Sequence, residues 1–424
     1  MKTTKRKFKN KLEALYVPLP RRNVVAVSLW LRVGGRYESK VNSGISHFLE
    51  HLAFRGTQKR SNTQIIQQVE GIGGAINAFT SYEYTCFYAK SPKKHIKDIL
   101  DVVSDIVLHP LMKEDDIKKE KKIILEEIRM YKDMPHYHVE DLMSEIMWKE
   151  HPLSRPLAGN YRSVRSLDCN MLSEYKKRFY HAGNMVAVIA GDINANNIDS
   201  FLKEIFANIP FKKKPQLNKF TLKQQEPQAR YLNKDTQQTH LSLGFHTVKR
   251  TDKLRYALTV LSVLLGGNMS SRLFQQVREK KGLAYRISTS LRKYLDTGAL
   301  VISCGLKNKK IKETINIILN ELDKIKKKGI TEEELSQAKE YIIGHTLLDL
   351  EATVDRMLQV GIKSITGDNE TLDVKNIIKK IKKVKAEDVL QAANKFLKGK
   401  RLNLGLIGPV KKDIRSIEKR IKDF

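Results

Sequence analysis

Residues 24–33 read VVAVSLWLRV, and residues 239–248 read THLSLGFHTV. Both alternate apolar positions with a period of two, the pattern of a strand that buries one face. Each opens a series of elements in the same order. A helical stretch comes next, then a Gly-Gly turn in the first half or a Gly-Leu-Ala-Tyr turn in the second. Strand material follows: INAFTSYEYTCFYAK (76–90), read as one strand, and YRISTSLRKY (285–294) with GALVISCGL (298–306). The next pair, HIKDILDVVSDIV and IKETINIILNELDKI, has the 3.6-residue period of amphipathic helices. A charged helix then follows in both, EDDIKKEKKIILEEIRMY and TEEELSQAKEYIIGHTLL, and each half closes on an apolar strand, NMVAVIAGDI and RLNLGLIGPV. Any α/β chain has some self-similarity, but the matched order points to duplication of one unit. The expected fold is α+β, with two homologous duplicated α/β-sandwich domains, each a mostly antiparallel sheet covered by helices. The Lys- and Gln-rich segment FKKKPQLNKFTLKQQEPQ (211–228) divides them, giving domains at 1–212 and 213–424.

Composition agrees with this size. A chain of 424 residues is too long for one ordinary core, and 41% hydrophobic with 29% charged residues describes a globular protein. No apolar run approaches the roughly 18 residues that a membrane span needs. The first twenty residues, MKTTKRKFKNKLEALYVPLP, lack the apolar centre of a secretory signal. Their first acidic residue is Glu13, which is also compatible with a short organellar presequence. Cys86, Cys169 and Cys304 are odd in number and far apart, which argues for a reducing compartment and against a thiolate metal site. The expected location is the cytoplasm of a bacterial-type cell, or an organellar matrix. The formal net charge of +31 would suit a polyanion, but the lysines are spread along the whole chain. No RNP-type aromatic strand or zinc-knuckle spacing accompanies them, so no nucleic-acid partner is expected.

The segment SGISHFLEHLAFRG (43–56) carries the chemistry. Ile45, Phe48, Leu49 and Leu52 have helical spacing, so His47 and His51 share a face one turn apart. That is the separation two imidazoles need to grip one tetrahedral ion at about 2.0–2.1 Å. Glu50, in the order H-x-x-E-H, lies beside the metal's water position without being a ligand, where a general base belongs. A catalytic zinc takes a third protein ligand. In DIKKEKKIILEEIRMY (116–131), Ile117, Ile123, Ile124, Ile128 and Tyr131 form one broad apolar face. Glu120 and Glu127, seven apart, both fall inside that arc, whereas Glu126 falls outside. A carboxylate on a buried face is paired or bound to metal, because an isolated buried charge is too costly. Glu127 reads as the ligand and Glu120 as the group that orients a ligand histidine. A structural ion pair with a lysine is the competing explanation.

HFLEHLAFRGT, GGAINAFTSYEYT, EKKIILEEI with the trailing MYKDMP, and GGNMSSRLFQQVREKKGLAY together resemble the pitrilysin-type peptidases, over about Leu12 to Val410. That family includes mitochondrial processing peptidase and insulin-degrading enzyme. His181 departs from it, where relatives often have proline. The resemblance implies one zinc per chain on His47, His51 and Glu127, with Glu50 as general base and Glu120 in support. It implies that Asn77 and Ala78 lie on an edge strand that pairs with an extended substrate. It also implies that Arg278 and Tyr285 reach the substrate from the second domain, Tyr285 helping to stabilise the oxyanion. Seven residues apart, these two would align on a continuous helix, but Gly282 places Tyr285 beyond the helix end. Relatives of this length pair into dimers around a chamber that admits unfolded peptides. A homodimer is expected, with a heterodimer as the alternative. The functional alternative is a catalytically silent structural or assembly subunit of the same fold.

Overall fold

Matching strand patterns fold into matching sheets. The computed structural model describes residues 3–368 and 372–424. The first sheet is built from β1 (Thr4–Lys7), β2 (Glu13–Pro18), β3 (Val24–Leu31), β4 (Ala75–Thr80), β5 (Thr85–Pro92) and β6 (Met185–Gly191), in the order β1-β2-β6-β3-β5-β4. The second is built from β7 (Gln228–Asn233), β8 (Gln238–Thr247), β9 (Ala284–Lys293), β10 (Gly298–Lys307) and β11 (Leu402–Gly408), in the order β7-β11-β8-β10-β9. Among the described residues each sheet contains one parallel pair, β2 with β6 and β7 with β11, at the same place counted from the β4 and β9 edges; every other pairing described is antiparallel. Duplication explains the shared exception, since an arbitrary pair of α+β sheets has no reason to repeat it.

One sequence reading is corrected. The stretch 76–90 is a hairpin of β4 and β5, not one strand: Thr80 faces Thr85, and the Ser81 N–H donates to Tyr84 O at 2.8 Å to close the turn. Ile76 and Ala78 share the core face with Phe87 and Ala89, so the inward set changes from even to odd positions across the turn.

The first five α-helices along the chain are α1 (Ile45–Ala53), α2 (Asn62–Glu70), α3 (Ile96–Leu108), α4 (Glu114–Asp133) and α5 (Pro135–Met147). On one face of β3, Val25, Val27, Leu29 and Leu31 pack with Phe48 and Leu52 of α1 and Ile99 and Val103 of α3. On the other face, Ala26 and Trp30 pack with Met357, Val360 and Ile365 of the helix Thr353–Ile365. Burial on both faces is why VVAVSLWLRV is apolar at its even positions too. In the second sheet, Leu241, Leu243 and Phe245 enter the main core. On the opposite face, α5 packs close to β8 and β11: a Cβ at Gly244 would stand 2.9 Å from Met147 Sδ, and Gly405 faces Leu142 and Ile146.

The chain therefore divides into two compact units that are not the contiguous halves 1–212 and 213–424. The first takes Met1–Arg129, Arg155–Asn218 and Leu347–Asn376; the second takes Met130–Ser154, Lys219–Thr346 and Ile377–Phe424. The helix that follows the charged helix in each half, α5 or Thr353–Ile365, covers the back of the other half's sheet. A boundary drawn from the linker alone misses this exchange, because both helices are amphipathic and nothing local names their partner sheet. Among the described residues, no helix is long and apolar enough to cross a membrane.

Gly361 is where the exchanged helix meets the first sheet most closely: a Cβ there would overlap the Trp30 indole ring. Trp30 is fully buried, so neither partner has room to yield. Gly361→Ala is expected to destabilise the protein by about 1–3 kcal/mol through overpacking. Gly344→Ala is the control. It also lies in a helix but has nothing within 4 Å of the added carbon, and it should be neutral or slightly stabilising. Denaturant midpoints of the two variants decide the matter.

Candidate metal centre

Three devices fix α1 in place. Its start needs Gly44 in the left-handed region, at φ 93°, where a Cβ would press within 2.6 Å of Ala158 O. The buried Glu38 carboxylate then caps the helix, accepting from the Gly44 N–H at 2.7 Å and the Ser46 N–H at 3.0 Å. This satisfies orphan donors of the first turn and sets an anion at the positive end of the helix. Burial pushes the Glu38 carboxyl above its ordinary range, against those two backbone hydrogen bonds. Ser46 Oγ also shares a buried hydrogen bond of 2.9 Å with Tyr175 Oη. Ile45, Phe48, Leu49 and Leu52 fill the core, so His47, Glu50 and His51 are left on the opposite stripe.

On α4, Ile117, Glu120, Ile124 and Ile128 are buried, Glu120 with only 1% of its surface exposed. Ile123 is 45% exposed instead of belonging to this face. On a helical wheel it sits about 100° from the centre of the arc, at the limit of what one helix can bury. Glu127, nearer the centre, is partly open.

This arrangement brings together the groups that the sequence singled out. The Nε2 atoms of His47 and His51 both lie 3.8 Å from Glu127 Oε2, and one donor atom from each residue fits within 4.8 Å of the others. Ligands of a tetrahedral zinc are about 3.3–3.4 Å apart when bonded at 2.0–2.1 Å. Both nitrogen–oxygen separations are thus within about half an ångström of that spacing, and two imidazoles with one carboxylate suit zinc chemically. Among the described residues it is the one cluster of histidine, cysteine and carboxylate groups able to hold a metal.

Behind the ligands, His51 Nδ1–H donates to Glu120 Oε2 at 2.9 Å, and Arg55 Nε donates to the other Glu120 oxygen. A carboxylate only accepts, so this contact fixes the tautomer and leaves the Nε2 lone pair facing His47 and Glu127. Burial pulls the Glu120 carboxyl up, but the hydrogen bonds from His51 and Arg55 outweigh it and hold it below its ordinary value. For His51, burial acts downward, while the Glu120 hydrogen bond and the surrounding carboxylates raise it on balance. His47 moves the other way: burial and the neighbouring His51 push it down to about 4, so it is neutral and able to ligate. The buried His47 Nδ1 makes no hydrogen bond among the described residues.

Glu50 lies beside the ligand cluster without belonging to it. Thr80 Oγ1, at the end of β4, donates to its Oε2 at 2.5 Å. Burial raises the Glu50 carboxyl; the Thr80 hydrogen bond and His51 oppose this, and Glu127 adds to it. A carboxylate with a raised affinity for protons is what a general base near neutral pH requires. The buried Tyr180 hydroxyl, which makes no hydrogen bond among the described residues, feels the same Glu50 charge. Thr80, Arg55, Glu38 and Tyr180 were all missed by the sequence reading. Arg55 lay in view four residues after His51, just past the end of α1; the others sit in loops and strands where spacing carries no signal.

Asn77 and Ala78 are on β4, which is the edge of its sheet among the described residues. The Ala78 N–H donates to Asn77 Oδ1 at 2.8 Å, so this edge donor is occupied by the chain's own side chain. Arg278 and Tyr285 are together in the second unit. The Arg278 guanidinium lies 5.2 Å from the centre of the Tyr285 ring and 4.7 Å from that of Phe274. Gly282, at φ 57°, ends the helical turn Phe274–Lys280, and Tyr285 stands on β9 with 78% of its surface exposed.

Comparison with known proteins bears on this geometry. The family model described as insulinase (peptidase family M16) matches residues 15–160, and that described as the peptidase M16 inactive domain matches residues 166–342. The chain is 37% identical over 375 residues to a Bacillus subtilis protein named as an uncharacterised zinc protease, YmxG, covering 86% of this chain and 88% of that one. It is 33% identical over 399 residues to a similarly named Streptomyces coelicolor protein, covering 93% and 86%. Among solved structures, a protease from Helicobacter pylori shares the fold with a TM-score of 0.91 at 23% identity, covering 96% of this chain and 99% of that one. A Pseudomonas fluorescens peptidase M16 inactive domain does so with a TM-score of 0.89 at 18% identity, covering 96% and 98%. The chain belongs to the insulinase family of peptidases, family M16, the pitrilysin-type family that its motifs resemble.

Proposed function

We propose that this chain is a zinc-dependent endopeptidase that hydrolyses unstructured peptides, with one zinc held by His47, His51 and Glu127. The observation that carries this reading is the convergence of those three donors with Glu50 beside them. When bound, zinc supplies Lewis acidity to the attacking water and the scissile carbonyl. Glu50 takes the proton of that water and delivers it to the leaving amine. Glu120 keeps His51 in the ligating tautomer, and Arg55 keeps Glu120 charged. Asn77 and Ala78 dock the substrate backbone along the edge of β4, which suits extended peptides and gives loose side-chain selection. Before pairing, Asn77 must release the Ala78 N–H. Arg278 and the exposed Tyr285 donate to substrate carbonyls and to the developing oxyanion. The working assembly is a homodimer, since this chain carries both the zinc residues and the arginine–tyrosine pair. Its location is the bacterial-type cytoplasm, in keeping with three free cysteines. Presequence-like segments are among the peptides such a site accepts. A silent assembly subunit is disfavoured by a complete ligand set and a satisfied supporting carboxylate.

Purified protein should contain about one zinc per chain, and cleavage of a quenched unstructured peptide should vanish with chelator and return with zinc. Zinc-loaded protein that cleaves no unstructured peptide would favour the silent-subunit reading.

Glu50→Gln is expected to keep the zinc and lose turnover, whereas His51→Ala loses both. Normal turnover in Glu50→Gln would remove the general-base role. Glu120→Gln should retain the fold and weaken zinc binding about 10–100-fold in competition with a chromogenic chelator.

A further inference from the structure

We propose that Thr80 is a positioning residue that holds the general base in its working orientation and ties that orientation to the strand on which substrate docks. This deepens the peptidase reading and rests on it. Among the described residues, the Thr80 hydroxyl is the only hydrogen-bond partner of the Glu50 side chain. Oε2 is engaged at 2.5 Å, which leaves Oε1 for the water. The other polar groups on this stripe of α1 are held differently: the two histidines face Glu127 and each other, and His51 is locked by Glu120. Glu50 is thus a half-buried carboxylate on a rigid helix with one tether.

The tether comes from an informative place. Ile76, Ala78 and Thr80 are alternate residues of β4 and share one side of the strand. Ile76 and Ala78 pack on the core to which α1 belongs, so Thr80 points toward α1 by strand geometry. Asn77 and Phe79 take the opposite side, where Phe79 packs edge-on to Trp30 at 5.7 Å between ring centres. Among the described residues, β4 has a paired neighbour only in β5, and Thr80 is its last residue before the turn. A peptide pairing with the free edge would steady the end of the strand that carries the hydroxyl. Occupancy of the edge and aim of the base are then linked through one covalent stretch of three residues, from Ala78 to Thr80.

Removal of a tether of this kind lowers kcat and leaves KM and metal binding nearly unchanged, because neither the docking edge nor the ligands lose a contact. Thr80→Val keeps the shape and removes the donor; Thr80→Ser keeps the donor and removes a methyl group. The expected result is a kcat about 10–100-fold lower for Thr80→Val, a KM within about twofold, and a rate for Thr80→Ser within about threefold of wild type. Both variants should hold about one zinc per chain with wild-type affinity. In crystals of the metal-free Thr80→Val protein, the Glu50 side chain should leave the rotamer it has here. Thr80→Val with a wild-type kcat, or with Glu50 unmoved, overturns the role. So does Thr80→Ser as impaired as Thr80→Val, or a loss of zinc and thermal stability that accounts for the fall in rate. A zinc-loaded wild type that cleaves no peptide overturns the peptidase reading and this role with it. An active wild type matched by Thr80→Val overturns this role alone.

Discussion

One helix has to satisfy two incompatible demands. Helix α1 must bury Ile45, Phe48, Leu49 and Leu52 completely, and it must also present His47, Glu50 and His51 on its remaining stripe. Three ionisable groups in a half-buried position carry a desolvation penalty that none of them can relieve alone. Their neighbours are arranged as an answer to it. Glu38 anchors the start of the helix, Glu120 (itself held by Arg55) takes the outer nitrogen of His51, Glu127 faces both imidazoles, and Thr80 meets Glu50. Four separate parts of the chain are thereby committed to a nine-residue element.

How much of this was legible follows from where each partner lies. The histidines and Glu50 are one helical turn apart, so spacing alone grouped them. Glu120 and Glu127 could be found because charge inside an apolar arc is anomalous, and the same argument ranked Ile123 wrongly by treating the edge of the arc like its centre. Thr80 and Glu38 were invisible: a threonine before a turn and a glutamate in a loop are ordinary in sequence, and only tertiary distance gives them meaning. The fold class and its duplication could be read from element order. The hairpin at 76–90 was missed, since its turn, SYEY, carries no glycine or proline to mark it. So was the exchange of helices, because an amphipathic face records that it is buried and not against what.

Duplication also shows which constraints were free to relax. The second unit repeats the sheet, including its single parallel pair. The helix after β8, Arg255–Gly266, reads RYALTVLSVLLG and has neither histidine nor carboxylate. With no metal ligands to present, that helix buries apolar residues on most of its surface. The back of the sheet relaxed differently. Gly244 and Gly405 there admit Met147, Leu142 and Ile146, whereas Trp30 on the first sheet is met by a glycine of the covering helix. The bulk has changed sides while the close approach has been kept.

The exchanged helices impose an order in time. The first sheet is complete once β6 leaves the ribosome, yet the face that carries Ala26, Trp30 and Val188 stays bare until Thr353–Ile365 has been made. At about 5–20 residues per second that interval is roughly ten to thirty seconds. Throughout it, a hydrophobic surface of the kind that drives aggregation faces solvent. Helix α5 waits in the same way for β8 and β11. Neither unit can finish during its own synthesis, so this chain closes late, nearly all at once, and depends on whatever shelters it in the meantime.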